Sequence, residues 1–135
     1  MVCLGSLLPS VLQSCAGGAA YARFAQSGSR LTVARSEFMY QRGEQQARRD
    51  YLLLKPEQLP FPVCVYENKP ESFTSLYLEC THSGCEVRPQ HNHLVCPCHG
   101  SEFSTSGQVL NPPAEHNLRT FVTTSDSENI YIQLA

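Results

Sequence analysis

Two short segments, Cys80-Thr81-His82 and Cys96-Pro97-Cys98-His99, constrain this chain more than any other feature. Each offers a thiolate and an imidazole, and thirteen residues separate His82 from Cys96. If all four side chains serve one metal centre, the fold must hold the two segments face to face. Residues 80–99 contain four of the seven Cys and four of the five His, a concentration that reads as a metal site. At 135 residues and 41% hydrophobic content the chain can bury roughly two-thirds of its unfolded surface, so metal or disulfides would add to a real core. One ordinary domain accounts for that length. A formal charge of -2, without any cluster of Lys and Arg, excludes nucleic acid as the main partner. Paired carboxylates near a Ser or Cys nucleophile and Gly-rich phosphate loops are both absent, so no catalytic residue is assigned.

Short runs with strand-like alternation recur between turn signals at 31–34, 51–55, 63–67, 73–79, 93–96, 118–124 and 130–134. An all-β domain is expected, with Ile130, Ile132 and Leu134 on one face. The charged run Glu44–Arg49 has no apolar stripe and is too short to persist as a helix, so a solvated loop or turn is expected there. Pro56, Pro60 and Pro62 separate strands, and Pro112-Pro113 stiffens a late loop. Cys64, inside Val63-Cys64-Val65-Tyr66, reads as a small core hydrophobe. The two Cys/His segments fall at strand ends, in turns.

Residues 2–12 are apolar but far short of the ~20 needed to cross a bilayer as a helix, and Pro9 interrupts them. A run of that length suits the apolar part of a secretory signal. It leads into Leu12-Gln13-Ser14-Cys15, which resembles the lipobox of bacterial lipoproteins and makes Cys15 the expected acylation site. Such a signal opens with a basic residue, whereas the first here is Arg23, so a start upstream of Met1 is expected. Acylation would hold the protein on a membrane surface. Residues 16–30, punctuated by Gly and Ser, read as a flexible tether, leaving 31–135 as the folded domain.

Thiolates suit iron–sulfur clusters and zinc, while imidazole suits zinc, copper and iron, so donor type alone leaves a structural zinc site open. The flanking residues go further. Cys80-Thr81-His82-Ser83-Gly84-Cys85 resembles the first cluster-binding box of the Rieske iron–sulfur proteins, and Cys96-Pro97-Cys98-His99-Gly100-Ser101 resembles the second. The resemblance implies an antiparallel β-sandwich carrying a small subdomain in which two loops bind one 2Fe-2S cluster. Cys80 and Cys96 would then hold the inner iron, and His82 and His99 the outer one. Cys85 and Cys98 match a pair that forms a disulfide in the branch containing the bc and b6f complex subunits, which implies an oxidising compartment such as the periplasm. Gly84 and Gly100 would permit tight ligand loops. Ser101 matches a residue whose hydroxyl donates to a bridging sulfide.

Three positions depart from the family pattern. Phe103 stands where high-potential members have Tyr, which implies a lower potential because Phe has no proton to donate. Ser83 replaces the Leu usual in quinol-oxidising members. Asn111-Pro112-Pro113-Ala114 is an altered form of the Gly-Pro-Ala-Pro loop that covers the cluster's third side. His91, His93 and His116 match no ligand and read as surface residues. The expected function is one-electron transfer within a membrane respiratory chain, with a quinol-oxidising subunit or a c-type cytochrome as partner. A stand-alone Rieske ferredoxin or small subunit is the alternative. Imidazole ligands further imply electron transfer coupled to a proton, hence a potential that depends on pH.

Overall fold

A computed structural model describes residues 20–135, so the signal-like segment 1–15 with Cys15, and residues 16–19 of the expected tether, lie outside the described residues. The chain runs through β1 (Ala25–Ser27), β2 (Arg30–Ala34), a 3-10 turn (Arg35–Phe38), β3 (Met39–Arg42), β4 (Gln45–Arg48) and β5 (Tyr51–Leu54). Next come β6 (Val63–Lys69), β7 (Ser72–Tyr77), β8 (Arg88–Pro89), β9 (His93–Val95) and β10 (Glu102–Ser104). β11 (Val109–Asn111), β12 (Thr120–Ser125) and β13 (Asn129–Gln133) complete it. A seven-stranded sheet has the order β1-β2-β13-β12-β7-β6-β5, a four-stranded sheet the order β11-β10-β9-β8, and β3 and β4 form a separate hairpin. All pairings between these strands are antiparallel. The expected all-β sandwich with a smaller subdomain is what the chain forms.

The large sheet curls so that its two halves face each other across a first core. Leu31 and Val33 of β2 and Ile130 and Ile132 of β13 meet Leu52 and Leu54 of β5 and Val63 and Val65 of β6 there. Successive strand residues point to opposite faces, so the residues between them must point the other way. Leu53, Cys64, Tyr66 and Leu76 do, into a second core shared with Leu94, Phe103 and Leu118 of the small-sheet subdomain. β5 and β6 are therefore walls between two cores, which explains why they read as nearly unbroken apolar runs. Cys64 is fully buried, as expected for a core residue, and burial pushes its thiol well above the ordinary range.

Two segments differ from expectation. The region read as a tether joins the fold from Tyr21 onward: the Ala22 N–H donates to the Leu53 carbonyl at 2.8 Å, and β1 pairs with β2. Its Gly28-Ser29 step is the turn of that hairpin, and turns use the same residues as linkers. Likewise Gln45–Arg48 is strand β4, paired in register with β3, where a loop was expected. In place of an apolar stripe, cations at this hairpin lie over rings: the Arg48 guanidinium of β4 lies 4.7 Å from the centroid of Phe38 in the preceding turn, and that of Arg49, just after β4, 4.7 Å from Tyr40 of β3. Among the described residues no helix is long and apolar enough to cross a membrane.

Phe38 is almost fully buried and its ring packs 6.0 Å from that of Phe73, so it anchors the hairpin to the first core. Phe38→Ala should lower stability by about 3–5 kcal/mol, read as a shift in the urea midpoint.

Candidate metal centre

Residues 80–85 lead from the large sheet toward β8, and residues 96–101 join β9 to β10, so both Cys/His segments are loops at one end of the small sheet. The two loops close in the same way. The Cys80 N–H donates to the Cys85 carbonyl and the Gly84 N–H to the Cys80 carbonyl, at 2.8 and 2.9 Å. In the second loop the Cys96 N–H donates to the Ser101 carbonyl and the Gly100 N–H to the Cys96 carbonyl, at 2.8 and 3.0 Å. Each glycine has positive φ, 70° at Gly84 and 80° at Gly100, which other residues adopt only with strain. A Cβ at Gly100 would meet nothing within 4 Å, so backbone conformation and not space demands glycine there.

Burial divides the four expected ligands into two pairs. Cys80 and Cys96 are 2% and 0% exposed and belong to the second core, whereas His82 and His99 are exposed. The two imidazole rings stand edge to face with centroids 4.9 Å apart. Cys85 and Cys98 form a disulfide that ties one loop to the other, with Cα atoms 6.5 Å apart. The Cys80 thiol is held below its ordinary pKa. Burial raises it, but the backbone N–H groups of His82 and Ser83, the Cys96 thiol and the Ser101 hydroxyl all donate to it and outweigh burial. A sulfur surrounded by donors is prepared to be a thiolate ligand.

A third loop buttresses the other two through backbone atoms. The Ala114 N–H donates to the buried Ser101 Oγ at 2.9 Å, and the Thr81 hydroxyl donates to the His116 carbonyl at 2.6 Å. Because Ser101 Oγ accepts from Ala114, its own proton is left to point toward Cys80. Pro112 is exposed and makes none of these bonds, so this loop acts through Ala114 and His116. Nothing in the sequence marks Thr81, and His116 reads there only as a surface residue. A backbone carbonyl acceptor leaves no side-chain signature by which it could have been found.

Phe103, on β10, is fully buried in the second core, while Ser83 is exposed beside His82. His91 lies in the turn between β8 and β9, and its Nδ1 sits 2.8 Å from Asp50 Oδ1; His93 contacts its neighbour Asn92. Among the described residues no three His, Cys, Asp or Glu side chains are gathered closely enough to hold one ion. Two buried thiols, two exposed imidazoles and donors directed at the Cys80 sulfur fit a two-iron cluster. They do not fit a single zinc, which needs its four ligands in one coordination sphere.

The family model of the Rieske [2Fe-2S] domain matches residues 31–122. The cytochrome b6-f complex iron-sulfur subunit of Synechococcus sp. (strain JA-3-3Ab) is 29% identical over 135 residues, covering 96% of this chain and 76% of that subunit. The subunit of the same name from Chlorobaculum thiosulfatiphilum is 30% identical over 70 residues, covering 50% of this chain and 39% of its own. Among solved structures, the cyanobacterial plasma membrane Rieske protein PetC3 from Synechocystis PCC 6803 superposes with a TM-score of 0.56 at 32% identity, covering 62% of this chain and 86% of that one. Since the family model spans more than half of the chain and the fold agrees, the protein belongs to the Rieske [2Fe-2S] family and carries one 2Fe-2S cluster.

Proposed function

We propose that this chain carries single electrons, with Cys80 and Cys96 binding the inner iron and His82 and His99 the outer iron. The observation that carries this reading is the split in burial, with both thiols sealed in the second core and both imidazoles exposed. The bound cluster would supply one-electron redox chemistry. The rest falls to the protein. The second core keeps water from the sulfurs, and the Ser101 hydroxyl, oriented by Ala114, stabilises negative charge on them. His82 and His99 present their outer nitrogens at the surface, where they can bond to a donor and exchange a proton with it.

The b6-f relatives and the plasma membrane Rieske protein support a place in a membrane electron-transfer chain, with a quinol-oxidising subunit or a c-type cytochrome as partner. The apolar run before Cys15 supports a lipid anchor at that residue and a periplasmic location, which suits the Cys85–Cys98 disulfide. Residues 1–14 would then be the removed signal and Cys15 the first residue of the mature chain. A second reading, a stand-alone ferredoxin, is favoured by the exposed hydroxyl of Ser83 where a quinol site would want an apolar side chain.

Purified aerobically, the protein should be reddish-brown and give a rhombic paramagnetic signal on reduction, both lost in His99→Ala; a colourless protein containing zinc would refute the cluster. Phe103→Tyr should raise the potential on the order of 50 mV, the one-electron equivalent of a hydrogen bond of about 1 kcal/mol, in a redox titration. In bacterial cells, Cys15→Ala should abolish palmitate labelling and release the protein from the membrane fraction.

A further inference from the structure

We propose that the surface around His82 and His99 docks a water-soluble one-electron protein whose own redox centre is ringed by Lys and Arg. The inference rests on the electron-carrier reading and adds the chemistry of the partner.

The two exposed imidazoles mark where electrons must enter or leave, and apart from Pro97 the exposed side chains considered beside them are polar or acidic. Ser83 is exposed, and the Thr81 hydroxyl is held by the third loop. Glu79, Glu86 and Glu115 are all exposed. Glu79 and Glu86 stand directly opposite each other in an antiparallel bridge that closes the first ligand loop, an arrangement of like charges that costs stability. The Glu79 carboxylate lies 3.9 Å from where a Cβ on Gly84 would sit, which places it against that loop. Glu115 lies between Ala114 and His116, the two residues that bond to the ligand loops. Among the described residues none of these three carboxylates has a Lys, Arg or His in ion-pair range, and residues 1–19 contain no such side chain. Glu37 and Glu67, by contrast, lie far from the ligand loops in sequence and are paired with arginines. Arg88, beside the disulfide, is the cation that accompanies them.

Apolar surface on these loops is confined to prolines, Pro97 of the second ligand loop and Pro112 of the third. Of the large apolar side chains exposed among the described residues, Tyr21, Met39 and Val122 lie on the large sheet, its N-terminal approach or the β3–β4 hairpin. Leu110 alone belongs to the small sheet. Insertion of the imidazoles into a lipid-lined pocket would bury unpaired carboxylates, whereas a basic protein face would neutralise them. Electron-transfer encounters are small and wet, and opposite charge raises their rate of association.

The test uses the full cluster-bearing chain, chemically reduced, with oxidation followed by stopped flow. The two oxidants are basic horse cytochrome c and ferricyanide, a small anion. Raising ionic strength from about 10 to about 300 mM should slow the cytochrome reaction at least about fivefold and speed the ferricyanide reaction. Glu86→Lys combined with Glu115→Lys should slow the cytochrome reaction at low salt and speed the ferricyanide one, opposite changes that damage to the cluster cannot mimic. A cytochrome rate indifferent to salt, or a double variant that slows both oxidants alike, overturns the proposal. A chain that is colourless and transfers no electron to ferricyanide overturns instead the electron-carrier reading beneath it.

Discussion

Burial of β5 and β6 on both faces is the constraint on which the rest of the molecule depends. Leu52 and Leu54 fill the first core while Leu53 fills the second, and the same alternation divides Val63 and Val65 from Cys64 and Tyr66. Each such apolar side chain contributes about 1.5–3 kcal/mol when fully buried, so the two cores stabilise one shared wall and cannot slide independently. A slip of one residue would exchange the two faces completely. The small sheet docks on this wall, and Cys80 and Cys96 are members of the second core. Hydrophobic packing thus places the thiols before any metal binds.

Where packing ends, covalent and polar ties take over. The disulfide joins the first ligand loop to the second, Thr81 joins the first to the third, and Ser101 joins the second to the third, so the three loops form a closed triangle. Opening any side leaves two, and none of the ties uses a proposed metal ligand. Holding ligands through residues that do not themselves bind metal fixes the geometry without spending donor groups. It also explains why a backbone N–H and a backbone carbonyl suffice on the third loop: what matters there is position, and the backbone supplies that once Ala114 is buried.

The legible parts of the sequence were those in which side-chain chemistry and structure coincide. All seven apolar runs became strands because burial on one or both faces is written in the residues themselves. The Cys/His boxes were legible because thiolate, imidazole and flanking glycine at that spacing have few other uses. β4 was not, since Arg48 lays its guanidinium over the Phe38 ring while counting as charged in any hydropathy pattern. β1 was hidden because a three-residue edge strand, exposed throughout, has the composition of a linker. The bonds to Ala114 and His116 were hidden for a different reason: one end of each is backbone, whose identity is the same at every position.

Two of the three departures from the family pattern, Phe103 and Ser83, fall on opposite sides of the division between buried and exposed proposed ligands, and this separates their consequences. Phe103 lies inside the second core, where it can act only on the sulfurs and hence on the potential. Ser83 lies on the surface, where it can act only on what approaches the imidazoles. Since the core side and the solvent side share no side chain, either property can change in evolution without disturbing the other. On the proposed reading, a hydroxyl at the entry point and an apolar ring behind the thiols are two independent settings of the same frame: the buried one would govern how strongly the electron is held, the exposed one which partner can take it.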